Sequence, residues 1–561
     1  MELKFKNMKK LNIKFIAVSL IMLLAFVACH DLDDLNINPN NPDPEVTDLN
    51  LLMPTIIINL GQDIVSLGIG DLAGVMQHTQ KTGWSSGHND YDWNNPGQSW
   101  GGYYDILRNA DEFYNKAVQQ ELEFHQGVGL IMKAYTFGLI TDLWGDAPFS
   151  EALKAEQGPD YYKPVFDSQQ DIYHGILDYL DEANTLLSKS SDEYTNINAT
   201  QDVLYAGDVS KWRKFANSLA LRYYMRLQAK EPSVAQEGIA RITGNPTMYP
   251  IITSASDEAN IAYSGASPGT SWPINMVFNI DPLGEYMRRK PCATLVETLQ
   301  SLNDPRLGVW ADKVEIPLVL VPGTEVDRIV DGKREISKDV EEAFLANWEE
   351  DDLYVDYDQE YVGIPVQTFS AQAYNLTPNY TQQAAYNPHV SQLNEMYKET
   401  SGPLLQMRLL SAAEVNFILA EAAIYGWAPE TPETYYDNGI RESFSAWGVS
   451  DEYDEYINGI SYNGLESIIE QKWIASWTAA AESWFDYRRT GLPDLQTGPS
   501  ARREVLPLRF YYNINEDLST NTDNAEAAVA KLEATQYKGS DQTNNSAWSK
   551  FWLLQGTNQP Y

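Results

Sequence analysis

The chain has 561 residues, a formal net charge of −38, and many aromatic side chains, including 34 Tyr and 15 Trp. So acidic a surface repels nucleic acid and anionic lipid, which excludes a nucleic-acid-binding role. The length allows one large or two medium domains with a sizeable core.

The first 28 residues read as an export leader. Lys4, Lys6, Lys9, Lys10 and Lys14 precede an apolar run from Phe15 to Val27, and Ala28 supplies a small residue at the cut. The run is shorter than the roughly 20 apolar residues that span a bilayer. Phe26-Val27-Ala28-Cys29 resembles a bacterial lipobox, in which the cysteine is acylated, becomes the mature N-terminus and anchors the chain in outer-membrane lipid. Phe26 departs from the usual Leu there, and an ordinary signal cut elsewhere is the alternative. Removing residues 1–28, with five Lys and one Glu, leaves 533 residues at a net charge near −42. With Cys29 lipidated, Cys292 is the one remaining thiol, so the core and not a disulfide must hold the fold. His30 to Asp34 is acidic and resembles the short signal that addresses Bacteroidetes lipoproteins to the cell surface; a solvated acidic tether is the plainer reading. Asn36 to Pro44 reads as a spacer, so residues 29–45 are expected to be a flexible tether and residues 46–561 a single domain. Asp34, Asn36, Asn38 and Glu45 fall at EF-hand offsets, but Pro39 replaces the turn glycine and no helix flanks the run.

Helical periodicity fills a first block from about 51 to 228. Within it, Trp100–Lys116, Glu123–Thr141, Ser168–Ser188 and Asp208–Gln228 are predicted helices. Before them, Lys81 to Asn94 holds too much Gly, Asn and Asp to be helical and carries Trp84, His88, Tyr91 and Trp93. The stretch from about 241 to 402 is irregular, with a short predicted strand at Val314–Pro322 and a second aromatic loop around Trp272 and Asn275. A second helical block covers about 411 to 489. Ser411-Ala-Ala-Glu414 predicts a capping box and a helix running to Gly426; Thr431-Pro432 opens another that ends near Gly448. Capped helix, short turn and capped helix make a tetratricopeptide-type pair, without a strict 34-residue repeat. Trp473, Trp477, Ala480, Ala481 and Trp484 are expected on one buried helix face, and Trp212, Phe215, Leu219 and Tyr223 on another. Arg488-Arg489 should bond helix carbonyls or acidic neighbours. After Pro507 the chain is polar, and Trp548, Phe551 and Trp552 are expected to dock on the helical core.

Several phrases, read in order, resemble the SusD/RagB family of outer-membrane nutrient-binding lipoproteins, in its SusD-like branch. They are Asp142–Ala152 (DLWGDAPFSEA), Gly207–Asn217 (GDVSKWRKFAN) continuing to Leu221-Arg222, Asn303–Arg306 (NDPR), Ser411–Glu414 with Ala420–Ala422, Glu470–Trp473, and Trp484–Pro493 (WFDYRRTGLP). Leu508 stands where the family often has a second basic residue. The resemblance implies a mostly α fold: a SusD-like scaffold of degenerate tetratricopeptide-type helix pairs with long irregular loops and a few short strands. It also implies capture of glycans by an exposed arc of aromatics and delivery to a SusC-like TonB-dependent transporter.

A sugar's C–H face packs on an aromatic ring while neighbouring polar side chains bond its hydroxyls. Trp84, His88, Tyr91, Trp93 and Asn94 of the first loop, with Trp272 and Asn275 of the second, are therefore the expected ligand-binding residues. The alternative for each ring is that it plugs its loop onto the core. Tyr374, Tyr380 and Tyr386 form a third, weaker group; Trp100 belongs with the following helix. Enzyme signals are poor. Gly265-Ala-Ser267-Pro-Gly269 matches G-x-S-x-G, but Pro268 and Pro273 forbid the helix that should follow, and His389 stands alone downstream. No metal signature, cofactor motif or dinucleotide fingerprint is present, and 78 acidic residues make a carboxylate pair uninformative. Alternatives to glycan capture are peptide capture on the same scaffold, as in RagB-like members, a lipid-anchored glycoside hydrolase, and a purely structural lid.

Overall fold

A computed structural model describes residues 48–93, 98–280, 284–346, 355–368, 370–377, 386–541 and 543–561. The leader, Cys29 and the tether lie outside these residues. The chain divides into Met1–Leu51 and a compact unit, Leu52–Tyr561. Helices dominate, as the resemblance implied.

In chain order come α1 (Leu49–Ile69), α2 (Asp71–Val75), β1 (Thr79–Lys81), α3 (Gly101–Gln119), α4 (Glu123–Trp144), α5 (Gln169–Leu186), α6 (Val209–Arg226) and α7 (Pro232–Gly244). Consecutive helices from α3 to α7 pack on one another. Every residue of α4 from Gly127 to Trp144 is buried, because this helix is apolar nearly all round and sits among its neighbours as the centre of the block. Ser168 and Asp208 cap α5 and α6 by accepting from the backbone N–H groups of Asp171 and Lys211, each at 3.1 Å. Helix α1 is an addition to the expected set. Its apolar residues are not confined to one face, so no helical period marks it.

The irregular middle carries β2 (Ala259–Ala262), α8 (Glu285–Arg288), β3 (Arg289–Pro291), α9 (Ala293–Ser301), α10 (Arg306–Trp310), β4 (Leu318–Leu320), β5 (Asp327–Val330), β6 (Lys333–Ile336) and α11 (Lys338–Leu345). The strand expected at 314–322 is β4, shorter than its apolar run and paired in parallel with β6. Strand β1 runs antiparallel to β3, with Thr79 opposite Pro291 and Lys81 opposite Arg289. The second block contains β7 (Gln406–Leu410), antiparallel to β2, then α12 (Ala412–Ile424), α13 (Pro432–Ala446), α14 (Tyr453–Gly459), α15 (Leu465–Ala475) and α16 (Ala480–Thr490). Helix α17 (Thr522–Lys531) and the pair β8 (Glu533–Ala534) and β9 (Ser549–Lys550) complete the tail. Trp548 and Phe551 are buried, and the Arg488 guanidinium lies over the Phe551 ring.

Two expectations need correction. Ser411 caps α12 by accepting from Glu414 N–H at 3.1 Å, but the Glu414 carboxylate does not complete a capping box. It takes a bidentate contact of 2.7 and 2.8 Å from Arg222 instead, a stronger partner than a backbone N–H. The tryptophan stripe is buried, yet it is split: Trp473 lies on α15, Trp477 in the turn that follows and Trp484 on α16, because Thr478 at φ +70° interrupts the path between the two helices.

The sequence phrases that lie far apart meet in one buried ionic network. Asp142 on α4 accepts from Tyr173 at 2.5 Å and from Arg226 at 2.9 Å. Arg226 also reaches Glu482 at 2.6 Å. Arg488 donates to the carbonyls of Asp142 and Leu508, and Arg489 pairs with Glu421 and Asp486. Burial pushes the Asp486 carboxyl up, but Lys472 and Arg489 outweigh it and hold it at about 2. Nearby, Arg306 is fully buried against Asp304, Ser443 and Gln471. Buried charges survive in a core only when paired and bonded in this way.

Candidate functional site

The loop that follows β1 is built to hold one ring out and fold the rest in. Lys81 and Thr82 fix its start: Lys81 N–H donates to Asn89 Oδ1 at 2.9 Å, and Thr82 N–H to the Arg288 carbonyl at 3.0 Å. Gly74 then allows the loop to cross α2, since a Cβ there would stand 2.0 Å from the His88 carbonyl oxygen. Trp84, at φ +50°, projects outward with 69% of its surface exposed. One face of its indole covers the guanidinium of Arg288, whose Cζ lies 3.4 Å from the ring centroid. Arg288 itself is buried, and its Nη2 has no hydrogen-bond partner among the described residues. A cation against one ring face holds the indole in place and leaves the other face to solvent.

The other residues expected in this loop turn inward. His88 is 2% exposed and its Nε2 lies 3.1 Å from Thr79 Oγ1 and 3.2 Å from the Thr79 carbonyl. Burial, with Arg289 and Lys81 adding to it, lowers its pKa well below the ordinary histidine value. Trp93 donates its indole N–H to the Gly87 carbonyl at 3.0 Å and meets Trp484 and Phe510 edge-on. Tyr91 is buried at φ +52°. Asn94 lies outside the described residues.

Tyr91 and Trp93 nevertheless reach a cleft of about 680 Å³, which they line together with Tyr511 and Trp548. Its walls carry Asp92 and Arg502, joined as a bidentate pair with one contact of 2.7 Å, and Arg503, which lies over the Trp548 ring. The loop thus presents a platform at Trp84 and one side of a polar cleft at its far end.

The second expected loop is a correction. Trp272 is 1% exposed: its backbone N–H donates to the Thr400 carbonyl at 2.8 Å, and its ring lies 5.8 Å from Tyr263 and 5.5 Å from Tyr397. Asn275 spends its side chain on the Trp272 carbonyl and on the N–H groups of Val277 and Phe278. The ring therefore pins its loop to the core and does not lie on an open arc. Of the third group, Tyr374 is buried, Tyr380 lies outside the described residues, and Tyr386 is exposed with its hydroxyl 2.6 Å from Glu315. Ser267 caps a single 3-10 turn, Pro268–Thr270, and bonds to Thr270, so the α-helix that should follow a nucleophile is replaced by that short turn.

Sequence reasoning missed Arg288 and the Arg502–Asp92 pair. Arg288 was hidden in a basic run, and Arg502 lies 410 positions from its partner. Among the described residues no group of three or more His, Cys, Asp or Glu side chains could hold a metal ion.

The scaffold is helical and carries an exposed loop ring and a polar, aromatic-lined cleft. Residues 39–317 and 350–513 match the SusD-like family model described as starch-binding and associating with the outer membrane, and the chain belongs to this SusD/RagB family of nutrient-binding outer-membrane proteins. Among solved structures, a chitin-binding protein aligns with a TM-score of 0.68 and 21% identity over 91% of this chain and 99% of its own. A chitin-binding SusD homologue from Flavobacterium johnsoniae aligns at 0.65 and 18% identity, over 91% and 100%. A SusD homologue from Bacteroides fragilis aligns at 0.64 and 20%, over 91% and 99%. These likenesses are of fold. No curated protein matches the chain.

Proposed function

We propose that the chain is a lipid-anchored cell-surface protein that captures oligosaccharides and passes them to a SusC-like TonB-dependent transporter without chemistry of its own. Acylated Cys29 would be its anchor, residues 29–45 its tether and the remainder its binding domain. The observation that carries the reading is Trp84, a large apolar ring held out to solvent by a buried arginine. A single exposed indole of this kind has a use in stacking on a sugar ring and none in the core. Trp93 and Asp92 would extend the contact into the adjoining cleft, supported by the buried Tyr91, and Asn94 is proposed as a further ligand residue. His88, Trp272 and Asn275, all buried, would act through the shape of the two loops.

Calorimetric titration of the detergent-extracted protein with starch- and chitin-derived oligosaccharides and with peptides tests the reading, in a detergent lacking a sugar headgroup. Glycan binding weakened by Trp84→Ala is the expected result. Peptide binding without glycan binding would move the cargo to peptides, and new reducing ends during incubation would make the protein a hydrolase. Extraction without any co-purifying barrel would count against the transporter.

A further inference from the structure

The Asp142–Ala152 phrase does more than feed the ionic network. Its second half, with helices α3, α4 and α5, encloses a second cleft of about 380 Å³ to which the Trp84 loop contributes no residue. That volume falls within the range of small-ligand sites and suits about one or two sugar rings.

Three aromatic rings, Phe137, Phe149 and Tyr179, line it and pack on one another. Phe149 lies 4.7 Å from Phe137 and 5.7 Å from Tyr179 between ring centroids. Gly175 on α5 makes room for Phe149, because a Cβ there would stand 2.4 Å from the ring. Lys133, 8% exposed, lines the wall; its Nζ is 2.6 Å from Asp111 and sits 5.1 and 5.3 Å from the ring centroids of Tyr114 and Tyr179. The rim is equally set. Asp167 accepts from the N–H groups of Phe149 and Ser150 at 2.9 and 2.8 Å and from the Ser150 hydroxyl at 2.6 Å. Lys154 Nζ donates to the Ser150 carbonyl at 2.7 Å.

The charges point to an uncharged ligand. Arg108, Lys133 and Lys154 are balanced by Asp111, Glu112 and Glu156, an even count on a chain that is otherwise strongly acidic. Arg108 and Glu112 are further engaged by Asp105 and Lys116. No strand lines the cleft, so an extended peptide would find no backbone edge with which to pair. A partly exposed aromatic lining with amide, hydroxyl and paired charged groups around it fits the alternating C–H faces and hydroxyls of a sugar.

We propose that this cleft is a second saccharide subsite, for uncharged sugar rings, built from α3, α4, α5 and the turn at Ala155–Gln157. It rests on the saccharide reading of the protein but uses none of the residues of the Trp84 loop. Chitohexaose and maltoheptaose titrated into the detergent-extracted protein and its variants test it. Binding of at least one probe that survives in part in Trp84→Ala is expected. Tyr179→Ala, which removes part of the aromatic lining, should weaken that residual binding by about ten-fold or more. Gln157→Trp, an exposed rim change that leaves the three rings intact, should do the same by obstruction and guards against misfolding of the first variant. Probe binding abolished by Trp84→Ala and unchanged in both cleft variants overturns the second subsite while leaving the Trp84 reading in place. Binding of neither probe overturns both. A tryptic peptide mixture blocked by Gln157→Trp, with no probe affected, overturns the saccharide assignment in favour of a peptide groove.

Discussion

The buried ionic core and the Trp84 loop use the same residue types to opposite ends. In the core, Arg222, Arg226, Arg488 and Arg489 meet carboxylates and carbonyls from three helices (α4, α12 and α16), strand β7 and the tail, and the tryptophans around them are sealed. In the loop, Arg288 lies beneath a tryptophan left facing water, and one of its nitrogens has no partner among the described residues. Aromatic richness and arginine content therefore identify neither region. An unpartnered nitrogen does not separate them either, since Arg488 Nε and Arg489 Nε also lack partners among the described residues; what separates them is whether the ring keeps a free face.

If the contrast is right, changes in the core should alter stability and leave recognition alone. The largest effect is expected for Arg489→Ala, which strands the Glu421 and Asp486 carboxylates in the interior; loss of about 3–5 kcal/mol in denaturant unfolding is anticipated. Next is a pH effect at His78, whose burial lowers its pKa from 6.5 to about 4 against a small opposing hydrogen bond to the Trp473 carbonyl. A histidine with a depressed folded pKa contributes stability above pH 6.5 and loses it as pH falls toward 4, because the unfolded chain binds the proton first. The loss should approach about 3 kcal/mol near pH 4, read as the difference between the parent and His78→Gln over that window. Gly74→Ala places a methyl against the His88 carbonyl and should destabilise by about 1–3 kcal/mol, with the damage appearing as faster proteolysis of the loop. Asp92→Ala breaks an exposed pair with Arg502 and should change global stability by about 0–1 kcal/mol; a larger loss would mean that the cleft wall belongs to the core.

The helical blocks were legible because their apolar spacing and caps are local: Ser168, Asp208, Ser411 and Thr431 each stand where a cap is needed and each accepts the expected N–H. Loop 81–94 was legible as a loop from its Gly, Asn and Asp content. Which of its rings face out was not, because that depends on Arg288, some 200 positions away, and on Thr79 and Asn89 drawing the chain back across α2. Trp272 misled for the same reason: its Gly- and Pro-rich surroundings read as an open loop, whereas Tyr263, Tyr397 and the 398–400 segment close over it. The break between α15 and α16 carries no Gly or Pro, so an unbroken stripe was the natural expectation from spacing alone.

On the proposed reading Trp84 recognises ligand and Trp272 supports the fold. Calorimetric glycan titration beside denaturant unfolding, for Trp84→Ala and Trp272→Ala, tests it most directly. Trp84→Ala should weaken binding by about 1–3 kcal/mol with stability within about 0.5 kcal/mol of the parent, while Trp272→Ala should lose about 3–5 kcal/mol of stability. Undiminished binding in Trp84→Ala, or a Trp272→Ala protein of parental stability that no longer binds glycan, would contradict it.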